Sequence, residues 1–120
     1  MIIENIIDKD GDGFEYEVTV SDGCRRIVCF AYAPVDKKNN NIKLYAFEPE
    51  HIRKALSSNY LLEKLPNPFE YKIVARVLDR DNGIAQVFGF IFELGEVLPK
   101  NIEKGDYFEF VNIRMDCETE

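Results

Sequence analysis

The chain has no tryptophan, one histidine and three cysteines among its 120 residues. Each scarcity removes a class of chemistry. A zinc site needs several His or Cys ligands, and here they amount to His51, Cys24, Cys29 and Cys117, with no C-x-x-C spacing. An odd, irregular set of cysteines is no disulfide framework. Cys24 and Cys29 are five positions apart, so on one strand they face opposite sides and do not bond each other. Buried, reduced thiols in a cytosolic protein are the expectation. No G-x-S-x-G, P-loop or G-x-G-x-x-G motif occurs. His51 has no nucleophile beside it in sequence, and Cys29 sits in the apolar stretch "IVCFAY", which makes a thiol inert. The expectation is a protein with no catalytic residues and no cofactor.

Positive charge is also in deficit. Fifteen Lys and Arg stand against twenty-two Asp and Glu, for a net charge of −7. Basic residues form no block longer than the pairs Arg25-Arg26, Lys37-Lys38 and Arg53-Lys54. Phosphate backbones and anionic membranes both need clustered cations. Nucleic acid is therefore a disfavoured partner and a membrane surface is not expected. "MIIENIID" lacks the basic and long apolar regions of a signal peptide. No apolar run reaches the roughly eighteen residues of a membrane helix. The expected location is cytoplasmic.

What the chain does contain is alternation. Hydrophobic residues make up 46% and charged residues 31%, ordinary for a soluble domain, and the length points to one domain over 1–120. "FEYEVTV", residues 14–20, has the period of two of a half-buried strand. Residues 2–7, 24–32, 42–48, 69–79 and 107–115 also read as strands. Asp22-Gly23 and Asn82-Gly83 are hairpin turn signals. "IAQVFGFIFEL", residues 84–94, is apolar on both faces and reads as one central strand. Its need for cover on two sides leaves a homodimer open. "APVDKKNNN", residues 33–41, is an exposed loop. "PEHIRKALSS", residues 49–58, reads as a helix, with Pro49 at its first position and Ile52, Ala55 and Leu56 on one stripe. "LPKNIEKGD", residues 98–106, reads as a short helical turn. The tail 116–120 is acidic and expected to fray. The fold expectation is mainly β: a small antiparallel barrel, OB-like or Greek-key, of six or seven strands with one inserted helix. A helix-capped β-sandwich is the alternative.

Three constellations are candidates for function. The first is "DKDGDG", residues 8–13. Asp8, Asp10, Asp12 and Gly13 match the opening of an EF-hand loop, but the twelfth position is Thr19, which cannot give a bidentate carboxylate. The alternation that follows says strand, not helix. A hairpin loop with Gly11 and Gly13 at positive φ is the expectation, with Asp8, Asp10 and Asp12 as weak cation candidates at most. The second is a recurrence of rings at i, i+2, from nine Phe and six Tyr. Most belong in a barrel core. Lys43, Tyr45 and Phe47 share one strand face, as do Lys72 and Arg76, and these five would serve an oligonucleotide-binding strip. Arg114 is expected to share a face with Phe108 and Phe110. The third is negative charge: Asp8, Asp10, Asp12, Glu15 and Glu17 lie within ten residues, and the acidic tail adds to them. This set is the candidate docking surface for a basic partner protein, as in an inhibitor or immunity-type protein; its plain alternative is charge that protects a sheet edge.

Overall fold

The computed structural model describes residues 1–39 and 41–119. Asn40, within the expected loop 33–41, and Glu120, at the end of the expected tail, lie outside the described residues. Those described form nine strands and no helix. They are β1 (Ile2–Asp8), β2 (Tyr16–Ser21), β3 (Arg26–Ala31), β4 (Ile42–Lys54), β5 (Leu61–Lys64), β6 (Tyr71–Asp79), β7 (Ile84–Val87), β8 (Phe90–Leu94) and β9 (Tyr107–Thr119).

Five of them close on themselves. The order β9-β4-β8-β7-β6 returns to β9 through a β6–β9 pairing, which makes a five-stranded barrel. Every neighbour is antiparallel except β4 and β8, which run parallel at Tyr45–Glu93 and Ala46–Leu94. Closure removes the unpaired strand edges that a flat sheet would leave. Inside are Phe90, Phe92, Phe108 and Phe110, all buried, with Phe108 and Phe110 stacked at 5.4 Å. β5 adds to the flank of β6.

The remaining three strands form a meander, β1-β2-β3, with antiparallel registers. It joins the barrel where β3 meets β9 in parallel at Phe30 and Asp116. β9 is thus shared. Its first half lies between β6 and β4; its second half lies between β3 and β4. The inner face of the meander, with Val18, Val20, Ile27, Cys29 and Ala31, continues the barrel core. Two polar links bolt the halves together. The Val28 N–H donates to the Tyr71 hydroxyl at 2.9 Å. The Asp22 carboxylate accepts from the Gly89 N–H at 2.9 Å, so the β2–β3 turn sits on the β7–β8 turn.

Several expectations need correction. There is no inserted helix: residues 49–54 prolong β4, paired with β9 through Lys54 and Phe108. Pro49 is tolerated because it lies beyond the short β4–β8 pairing, where a missing N–H costs no ladder bond. Leu56, the end of the supposed apolar stripe, is fully exposed. Among the described residues the strand count is nine, not six or seven. Residues 84–94 are two strands folded at Phe88-Gly89, with Val87 opposite Phe90. Each then alternates between buried and outward positions. Residues 98–106 form two tight turns, Pro99 to Ile102 and Glu103 to Asp106, rather than a helix. The tail does not fray across 116–119, which pair with β4 as far as Ile42–Thr119. Cys29 and Cys117 are buried and free, but Cys24 is exposed. Arg114 does not share a face with Phe108 and Phe110. The buried positions of β9 change parity between Asn112 and Met115, where the strand leaves the barrel for the open sheet.

Candidate functional site: an acidic, ring-lined sheet face

Cross-strand register gathers residues that are remote in sequence. Ile7 pairs with Glu17, Glu17 with Phe30, Phe30 with Asp116, Asp116 with Tyr45, and Tyr45 with Glu93. Paired residues share a face, so these six side chains form one row on the outside of β1-β2-β3-β9-β4-β8. The row spans about 24 Å at ~4.8 Å per strand, the reach of about seven extended residues. Carboxylates alternate with apolar groups along it.

The centre of the row is built around Arg114. Its guanidinium lies over Phe47 at 4.2 Å, Phe30 at 4.5 Å and Tyr32 at 5.2 Å. Asp116 accepts two hydrogen bonds from it, at 2.6 and 3.0 Å. Burial opposes its charge, but the bonds to Asp116 and Tyr32 outweigh burial and hold its pKa above the usual value. A planar cation against rings with a bidentate carboxylate is a strong pairing. Tyr32 is 64% and Phe47 43% exposed, whereas Phe30 is 7% exposed beneath them. Beside this cluster the Tyr45 hydroxyl donates to Glu118 at 2.9 Å. That hydrogen bond, with burial and the Glu118 charge behind it, raises the phenol pKa. β3 and β9 pair at one position only, and past it they splay into a groove of about 310 Å³ lined by Tyr32, Pro34, Val35, Tyr45, Asp116 and Glu118.

Comparison with known protein families, with curated proteins and with solved structures finds no match. The site therefore has to be read from its own geometry.

The structure unites residues that the sequence assigned to different functions. Glu17, from the acidic set, and Tyr45, from the oligonucleotide set, stand in the same row, with Lys43 and Phe47 on the same outer strand face. Asp8, Asp10, Asp12 and Glu15 occupy the exposed end of the β1–β2 hairpin, with Gly11 and Gly13 at φ 72° and 78° as the turn requires. Strands, not helices, flank this loop. Asp8 accepts from the Gly11 N–H and Asp10 from the Asp12 N–H, both at 3.0 Å, so two of the three carboxylates shape the turn itself. Among the described residues no group of three His, Cys, Asp or Glu side chains is placed to hold a metal ion. Lys72 and Arg76 belong elsewhere. They face out from β6 opposite Val111 and Tyr107, five and nine positions back along β9 from Asp116. The sequence did not single out Phe30, Tyr32 or Glu93 for this face. The i, i+2 pairs Phe30/Tyr32 and Arg114/Asp116 were the available signal, but the parallel contact that joins them was not.

Proposed function

We propose that the protein is a non-catalytic cytoplasmic binding protein whose outer sheet face docks a basic segment of a partner protein, in the manner of an inhibitor or immunity-type protein. The observation that carries this reading is the register row Glu17–Phe30–Asp116–Tyr45–Glu93. Exposed rings flanked by carboxylates suit Arg and Lys side chains, which stack by their planes or stems and pair by their charge. Arg114 is an internal example of the occupant, held by the same rings and the same carboxylate. The net charge of −7 steers a basic partner toward the protein. The buried, free thiols of Cys29 and Cys117 suit a reducing compartment. No helix among the described residues is long and apolar enough to cross a membrane.

An oligonucleotide-binding reading has one observation in its favour. Around the barrel the order β6-β7-β8-β4-β9, with β8 parallel to β4, matches an OB-type barrel whose last strand has moved to the front of the chain. OB-type barrels bind oligonucleotides on their second and third strands, here β7 and β8. The outward residues there are Ile84, Gln86, Ile91 and Glu93, without a single cation. Lys72 and Arg76 lie on β6, away from Tyr45 and Phe47, so no joint basic-aromatic strip forms. The protein-partner reading is favoured on charge.

Fluorescence anisotropy titrations with a labelled arginine-rich heptapeptide and with oligo-dT test this reading. The expected result is saturable peptide binding that weakens with salt, and no oligo-dT binding at low salt. Binding of oligo-dT with no peptide binding would reverse the assignment.

A further inference from the structure

A second surface, independent of the partner face, carries a ligand proposal. Along β4 the register runs from Glu50–Val111 to Arg53–Glu109. Three steps on β4 match two on β9, so one extra residue bulges out and Phe110 has no β4 partner. Bulges re-aim side chains and recur beside binding sites. His51, in the bulge, has φ 57°, and Glu48, just before it, has φ 48°. Residues other than glycine seldom occupy that region, and when held there they tend to cluster at ligand sites. The slot opened opposite Phe110 has a volume of about 480 Å³, within the range of small-molecule sites. Its apolar surface comes from Ile52 and Val111, while Phe110 borders it with its ring turned into the barrel; His51, Arg53, Lys72 and Glu109 stand around it. Glu109 is engaged with Arg53, whereas His51 approaches Glu50 only at 4.0 Å. Lys72 makes no ion pair among the described residues, and Glu63, its register neighbour on β5, does not close one. In a chain this acidic, two cations and the only imidazole gather around one apolar slot.

We propose that this slot binds a small organic anion with a flat apolar body, such as an aromatic carboxylate or phosphate. The ring lies on Ile52 and Val111, and the anionic group meets Lys72 at the mouth. A polyanion is not the ligand, because Glu109 lines the slot and repels further phosphates.

Amide-resolved NMR titration with benzoate and phenyl phosphate, and with benzyl alcohol as the uncharged control, tests the proposal. The expected result is saturable shifts at 50–53, 72 and 109–111 for both anions, with clearly weaker response to benzyl alcohol. Lys72→Ala, a change at an exposed side chain, is expected to weaken anion binding about two- to fivefold while leaving the melting temperature unchanged. Absence of shifts, shifts centred on Tyr32 and Phe47 instead, or identical binding by Lys72→Ala would each overturn it. Only shifts at Tyr32 and Phe47 would bear on the partner face; the other outcomes leave that reading untouched.

Discussion

The two halves of β9 live in different worlds. From Tyr107 to Asn112 the strand is a barrel stave, with Phe108 and Phe110 turned into a closed core. From Arg114 to Thr119 it is a member of an open sheet, and Arg114 and Asp116 work on the outer face beneath exposed rings. The chain alternates throughout. What differs is the neighbour: β6 wraps the first half, and β3 touches the second at one position. Aromatic residues therefore serve as filling on one side of the molecule and as surface on the other.

Breaking one ring in each half is the sharpest contrast. Phe108→Ala should cost about 3–5 kcal/mol of stability in urea denaturation. Phe47→Ala should cost far less, about 0.5–1 kcal/mol, because its ring covers Arg114 without filling the core. Comparable losses at the two sites would show that the outer rings are structural after all. The seam between the halves comes next. A Cβ at Gly89 would lie 2.6 Å from the Asp22 Cβ, which bears a carboxylate bonded to the Gly89 N–H. Gly89→Ala should therefore force the two turns apart at a cost of about 1–3 kcal/mol, and a wild-type melting curve would show that this contact is loose. Tyr71→Phe removes the acceptor for the Val28 N–H and should cost about 1 kcal/mol. Hydrogen exchange at Val28 should rise more than at Ile73, within the barrel.

The smallest expected effect is one of pH. Burial raises the Asp22 pKa, but the N–H groups of Arg25, Cys24 and Gly89 outweigh it and the net shift is downward. A depressed carboxylate contributes stability that is present above its unfolded value of about 3.9. The contribution fades as pH falls through the lower folded value. The Gly89 amide should accordingly lose protection below about pH 4, before the barrel amides do. Simultaneous loss throughout would mean that the seam has no separate titration.

The sequence carried the β class, the Asp22-Gly23 and Asn82-Gly83 turns and the hairpin at Gly11 and Gly13, because these are local signals. Pro49 with Ile52, Ala55 and Leu56 misled, since helical spacing over ten residues cannot report that β9 is waiting to pair with that stretch. Phe88-Gly89 was missed for a related reason. Phe88 sits at φ 50°, and its support comes from Arg25, stacked at 3.4 Å, and from Asp22, far away in sequence. Of the site, the acidic hairpin and the Lys43, Tyr45 and Phe47 strip were legible as periodicities. Their union was not, since it depends on the parallel contact of β3 with β9.

An amide-resolved NMR titration with an arginine-rich heptapeptide tests the partner face most directly. Shifts should concentrate at Glu17, Phe30, Tyr32, Tyr45, Phe47, Glu93, Asp116 and Glu118, and should vanish for the double variant Glu17→Lys, Glu118→Lys. Shifts spread evenly over all acidic surfaces, or undiminished in that variant, would contradict the assignment of this face.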